Sequence, residues 1–473
     1  MQYRGFDVYE KSINKIDSTE VFMAKDGDEA VLIIAGGEDE SGRRLGFEGK
    51  ELGAGIFRAP LSCANAAVVR KIFPWTAPVR GLSKPRSFGL GDRLGIATPG
   101  HIDLFEKNDV FPVFVQQSIR ELNLTGRRYE DVLAAGTFAV FREGYRKGFG
   151  ADGDHLKTVE DVEYALSLGF TMITLDCSEH IKNYSRPDSA APLAARYADK
   201  YLDKKFDIED GITLSFTESE LVECTAVYGD AISFASDIYK RFFASGRYEA
   251  DFEISIDETA SVTTPAQHFF VASELLDAGV SFATIAPRFC GEFQKGIDYI
   301  GDIDQFNSEI KIHAAIARHF GYKLSIHSGS DKFSVFPGIG RETRGRFHVK
   351  TAGTNWLEAM RVAAQADPAL YREVHQYALC AFGEAKKYYH VTTDLSRIPD
   401  VSKLKDDELP ALFENNDARQ LIHITYGLIL SRKNPDGSLT FRDRLYKLWH
   451  DHEAEYRAAL VKHIGKHLEL LGV

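Results

Sequence analysis

Eight short apolar segments separated by helical patterns constrain this chain more than any other feature. They are SFGLGDRLGIAT, FPVFVQQS, YRKGFGADGD, FTMITLDCS, YEADFEISIDET, VSFATIAPRF, YKLSIHSGS and RFHVKTAG, all between residues 87 and 353. Helical runs such as YEDVLAAGTFAVFREG, TVEDVEYALSLG, TPAQHFFVASELLDAG and NSEIKIHAAIARHFG lie between most of them. Apolar strands alternating with helices imply a parallel sheet, in which helices cover both strand faces. Eight such units suit a (β/α)8 TIM barrel of the α/β class. A doubly wound open sheet is the competing topology.

The flanking residues add to this core. Residues 1–80 read as a β-rich N-terminal extension packed on the barrel. There EVFMAKDGDEAVLIIAGG gives two strands about an Asp-Gly turn, and 61–72 a helix. The barrel occupies 81–366, with 178–247 as an inserted subdomain or lid, because the interval is too long for an ordinary loop. Residues 367–473 form a helical extension whose polar stretch SRIPDVSKLKDDELP is a linker or a loop across the barrel mouth.

Composition excludes several classes. A net charge of −12 leaves no protein-wide basic footprint for nucleic acid. No window approaches the length of a membrane span, and the N-terminus lacks a signal-peptide pattern. The five cysteines, Cys63, Cys177, Cys224, Cys290 and Cys380, are scattered and never in C-x-x-C spacing. That argues for a reducing compartment, so a cytoplasmic enzyme with a small-molecule substrate is expected. A homo-oligomer is compatible with all of this.

In a barrel of this kind the active site lies at the C-terminal strand ends. Ionisable and polar residues sit there: Asp92 and Arg93, Gln116 and Gln117, Asp152, Asp154 and His155, Asp176, Asp257 and Glu258, Arg288, His327 with Asp331 and Lys332, and Lys350. His155, Glu258 and His327 stand out as metal ligands, since two imidazoles and a carboxylate suit a borderline divalent ion. Asp154 and Asp176 are reserve ligands. Lys350 suits either a Schiff base or neutralisation of an acidic neighbour. Arg288 suits a substrate carboxylate or an internal salt bridge. His463 and His467, four apart on an amphipathic terminal helix, read as a solvated face, and His313 and His319 as packing or surface.

Gly148, Gly150 and Gly153 have G-x-G-x-x-G spacing. The preceding strand is weak, however, and Asp152 and Asp154 would repel a pyrophosphate. The glycines are therefore expected to turn a strand end and aim Asp154 and His155 into a site. NAD is not expected.

GADGDHLK, SIDET followed by TTPAQH, APRFCGEFQKGIDY, LSIHSGSDKFSVFP, FHVKTAGTNWLEA and RQLIHITYG together resemble the tagaturonate epimerase family. The resemblance runs from about residue 80 to the C-terminus. It implies a TIM-barrel enzyme of hexuronate catabolism, dependent on a divalent metal (Zn, Mn, Ni or Co), that interconverts D-tagaturonate and D-fructuronate. Carried onto this chain, the ligands are His155, Glu258 and His327, with Asp257 the alternative to its neighbour. Catalytic roles fall to Asp154, Glu258 and Lys332. Arg93, Gln116, Asp176, Arg288, Ser328, Asp331, Lys350 and His423 are the expected substrate contacts. The inverted carbon lies β to the ketone, so enolisation cannot invert it and retro-aldol cleavage with re-addition can. Transient oxidation by bound NAD is the rival route, and a metal-dependent or Schiff-base aldolase the alternative enzyme.

Overall fold

The computed structural model describes residues 1–27, 29–36, 45–182, 191–259 and 261–473. Eight parallel strands form a closed barrel: β1 (Arg86–Leu90), β2 (Phe111–Ser118), β3 (Gly150–Leu156), β4 (Met172–Asp176), β5 (Asp251–Ile256), β6 (Thr284–Pro287), β7 (Lys323–Ile326) and β8 (Phe347–Thr351). β8 pairs with β1, Phe347 opposite Arg86, which closes the ring. Six fall inside the segments read from sequence, β1 begins one residue before its segment and β3 ends two residues beyond its own, and the doubly wound alternative is excluded by that closure.

Helices follow the strands because their starts are encoded locally. Thr264 caps Pro265–Asp277 and Thr217 caps Glu218–Phe242, each in a reciprocal capping box with the residue three positions on. Asp302 caps Ile303–Phe320.

Two readings need adjustment. The interval 178–247 contains the barrel's own helix Glu218–Phe242, so the true excursion is 178–217, of which 183–190 lie outside the described residues. Its described part packs on the outer helices, with Tyr201 against Phe270 and Lys200 on Glu274. It does not line the cleft described below; Tyr388, Tyr389 and His390 of the C-terminal extension do. The Asp-Gly turn between the first two long strands is described only in part, because residue 28 lies outside the described residues.

Those strands, Thr19–Asp26 and Glu29–Ala35, are the centre of an antiparallel sheet that continues to Ile56–Pro60. Its faces alternate. Val21, Met23, Leu32 and Ile34 face the barrel helix Tyr129–Glu143, while Phe22, Ala24, Val31 and Ile33 pack with Val8. The C-terminal helices build a second core around Trp356, Leu421 and Trp449. No helix among the described residues is long and apolar enough to cross a membrane.

The sheet and the barrel meet at Phe141, which is fully buried and lies 5.3 Å from Phe73 and 6.0 Å from Trp75 between ring centroids. Phe141→Ala is expected to cost about 3–5 kcal/mol. Chemical denaturation checks this: an unchanged midpoint would show that the sheet does not depend on the contact.

Candidate active site

The site begins with an irregularity in β3. Asp152 and Asp154 are two apart on one strand face. Simple alternation would turn His155 away. Instead His155 takes a left-handed φ of 55°, and the pairing with β4 shifts register between Gly153 and Leu156. This conformation costs about 1–2 kcal/mol for a residue with a Cβ. It brings His155 Nδ1 to 2.8 Å from Asp154 Oδ1. Gly153 is closely packed: a Cβ there would lie 3.0 Å from Leu156 Cδ1 and 3.1 Å from Ala165 Cβ, so a neighbour would have to shift. Gly150 and Gly153 thus lie within a strand, and the signature does not form a strand-to-helix turn. Of the three glycines, only Gly148, at φ +82°, makes a turn that needs glycine.

Beneath the mouth, Lys350 from β8 is enclosed by acids. Its Nζ lies 2.7 Å from Asp152 Oδ2, 2.5 Å from Asp154 Oδ1 and 3.3 Å from Glu253 Oε1, and it donates to Thr174 Oγ1 at 2.6 Å. Burial opposes its charge, but the three carboxylates outweigh burial and raise its pKa. A Schiff base needs a neutral amine, so that reading of Lys350 is set aside and the neutralising role holds. Burial also raises Asp152, to about 6, whereas Lys350 overcomes burial and holds Asp154 and Glu253 well below the usual carboxylate range.

Above this cage His155, Asp257 and His327 converge. One ligand atom from each lies within 4.8 Å of the others, and the two imidazole centroids are 4.7 Å apart. Each imidazole is oriented by a buried carboxylate: Asp154 on His155 Nδ1, and Glu253 on His327 Nε2 at 2.8 Å. His327 Nδ1 faces Asp257 Oδ1 at 3.0 Å. Burial disfavours the charged imidazole, but Asp257 and Glu253 raise His327 to about 10. An imidazolium there occupies the place a cation would take. A carboxylate behind each histidine is the arrangement that orients metal-bound imidazoles. The donor set therefore fits a divalent ion.

Other expected residues separate into two groups. Arg93, Gln116, Ser328 and His423 line the cleft with Glu258, and Arg288 lines its outer part. Glu258 stands beside the triad and not in it; its carboxylate is 3.8 Å from both Arg120 and Lys157. Arg288 is committed to the carbonyl of Thr259. His423 approaches so closely that a Cβ at Gly353 would lie 1.7 Å from its Cε1. Asp176, Asp331 and Lys332 lie outside the cleft. Asp176 accepts from the Ser178 amide at 2.8 Å and lies 3.5 Å from Lys157. Lys332 is wrapped by the carbonyls of Gln294, Ile297 and Ser330, and burial pulls its ammonium down to about 7.

Asp331 belongs to a different cluster. His463 Nε2 meets Asp331 Oδ1 at 2.5 Å, and Arg419 Nη2 meets Oδ2 at 2.7 Å. His467 is fully buried, accepts from the Asp331 amide at Nε2 and donates from Nδ1 to the His463 carbonyl. The terminal histidines are therefore no solvated face. Their helix, Glu453–Leu470, latches the loop after β7 that carries His327 and Ser328. With Arg419 on the carboxylate and both His467 nitrogens engaged, this cluster is a poor cation site. His313, as expected for packing, is buried against His268.

Sequence reading missed Glu253, Arg120, Lys295 and Tyr389. Glu253 was detectable, as a carboxylate in the middle of the apolar run DFEISI, where a charge is costly unless paired.

A closed parallel barrel whose strand ends gather imidazoles, carboxylates and cations into one cleft defines a barrel enzyme acting on a small polar molecule. The comparisons narrow this. The family model for UxaE, tagaturonate epimerase, matches residues 9–471, and this chain belongs to that family. It is thus an epimerase. A curated relative, the tagaturonate/fructuronate epimerase of Thermotoga maritima, is 44% identical, covering 99% of this chain and 97% of the relative. Crystal structures of fructuronate-tagaturonate epimerase UxaE from Cohnella laeviribosi, native and glycerol-complexed, are 49% identical with a TM-score of 0.95. They cover 99% of this chain and 97% of theirs.

Lys350→Met is expected to destabilise the protein by at least about 3 kcal/mol, because it leaves three buried carboxylates unpaired. Their folded pKa values then rise above the unfolded ones. The folded state takes up protons first, so the deficit is largest at pH 8 and shrinks toward pH 5. Denaturation midpoints at the two pH values check the sign, and a deficit that grows on acidification would refute the cage.

Proposed function

We propose that this epimerase interconverts D-tagaturonate and D-fructuronate at a divalent metal held by His155, Asp257 and His327. The observation that carries the reading is this two-histidine, one-carboxylate group with a buried acid behind each imidazole. The substrate pair is supported by family membership and by the activity named for the Thermotoga relative. Among Zn, Mn, Ni and Co, the donor set favours no single ion. When bound, the metal supplies Lewis-acid stabilisation of negative charge on the substrate's ketone side.

The chain's own residues divide the remaining work. Glu258 is the better general base. It lines the cleft and is only loosely held. Burial raises its pKa and His155 brings it below the ordinary value, less far than Asp154, which is pinned by Lys350 and His155 and kept well below the usual range. Glu258 removes the proton from the hydroxyl on the carbon β to the ketone. The bond between that carbon and the α carbon breaks, and its electron pair passes to the ketone fragment. The β carbon becomes an aldehyde, presents its other face, and is re-attacked. Glu258 returns the proton. Lys350, Asp154 and Glu253 act by holding the histidines.

Chelator-stripped protein is expected to be inactive and to recover with one of the four metals, followed as D-fructuronate appearing from D-tagaturonate by NMR. Asp257→Asn and His327→Ala should lower metal content. Glu258→Gln should keep it while losing about 10²–10⁴ in kcat. Full turnover without metal would end the metal reading. Metal loss in Glu258→Gln but not Asp257→Asn would exchange the two roles.

A further inference from the structure

A uronate brings a carboxylate that its neutral ketose lacks, and something in the cleft must receive it. Most nearby cations are already spent. Lys350 is shared by three acids. Arg93 is paired with Glu121 at 2.7 Å and stacked 3.9 Å over Tyr426. Arg288, with one N–H on the Thr259 carbonyl, lines the outer part of the cleft and not the inner part, and Lys157 lies among Asp176, Glu179 and Glu258.

Two cations remain. Lys295 and Arg120 both line the inner and outer parts of the cleft, together with Asp257, Glu258 and His327. Lys295 Nζ donates to Ser328 Oγ at 2.9 Å, and among the described residues it has no carboxylate within ion-pair distance. Two of its three N–H donors are thereby left for a ligand. Arg120 lies 5.1 Å over the Tyr389 ring, which orients its guanidinium plane, and the Glu258 carboxylate is 3.8 Å away. Ser328, directly after His327, joins this pair to the triad.

We propose that Arg120 and Lys295 form the receptor for the substrate's carboxylate and so select a uronate over the corresponding neutral ketose. This rests on the hexuronate reading given above. A planar guanidinium and a half-buried ammonium in one cleft provide the charge-assisted donors that a carboxylate takes up. Burial, then the neighbouring Arg120, holds the Lys295 pKa below its ordinary value, and an incoming carboxylate relieves both effects. The receptor also accounts for retention of the aldehyde fragment. Anchored by its carboxylate, that fragment turns about a single bond and stays in the cleft.

The test is calorimetric binding of D-tagaturonate and of D-tagatose to the metal-loaded enzyme and to Lys295→Met and Arg120→Gln. The ratio of uronate to ketose affinity is expected to fall by about tenfold or more in each variant. Arg120→Lys and Lys295→Arg, which keep the charge, should recover part of it. Equal loss for both sugars, or no loss for the uronate, would overturn the receptor. Wild-type protein that binds D-tagaturonate selectively but never converts it would defeat the epimerase reading and leave the receptor standing.

Discussion

The buried contact between Lys350 and the carboxylates of Asp152, Asp154 and Glu253 is the constraint on which the site depends. Three acids placed inside a barrel would each demand a proton or a counter-ion. One lysine, reaching across from the last strand, satisfies all three. Asp154 and Glu253 then stay ionised, and the same oxygens that face Lys350 meet the imidazoles above, Asp154 Oδ1 with His155 and Glu253 Oε1 with His327. The charge order therefore runs vertically: lysine, carboxylates, histidines, and then the space for a cation.

Positions of the upper residues depend on local backbone that regular strands do not provide. His155 faces the site only because β3 bulges and the residue adopts a left-handed φ. Ser328 and Asp331 are also left-handed, at φ 51° and 64°, in the loop after His327. Such conformations persist where surroundings over-determine them. For the β7 loop the surroundings are the Asp331–His463–Arg419 latch from the C-terminal helices. The extension that looks peripheral in sequence thus holds the loop bearing a triad histidine, and its Tyr388–His390 segment walls the cleft.

Much was legible before the structure. The alternation of short apolar runs with helical patterns located all eight barrel strands, because a parallel strand covered on both faces is buried, and so largely apolar, throughout. Polar residues at strand ends pointed to His155, His327, Asp154, Lys350, Gln116 and Arg93, all of which meet in one cleft. What the sequence leaves open has a common cause. Glu258 and Asp257 are adjacent at a strand end and cannot be told apart without the direction of each side chain; the structure places Asp257 nearer the two imidazoles. Lys332 and Asp331 were drawn in by proximity to His327 along the chain, yet the loop turns them into carbonyls and a distant helix. His463 and His467 looked solvated because a helix that is mostly polar hides a short contact with a loop more than a hundred residues away.

The sequence by itself determined the fold class, the family and the residue types at the barrel mouth, because these follow from local periodicity, capping and linear motifs. Only the tertiary structure decided which carboxylate lies nearest the two histidines and which cations are paired with buried acids. Those outcomes depend on pairings between strands and helices far apart in the chain, such as Lys350 with Asp152 and Ser328 with Lys295. Charge neutralisation acts over a few ångströms of space, and linear separation does not encode that distance.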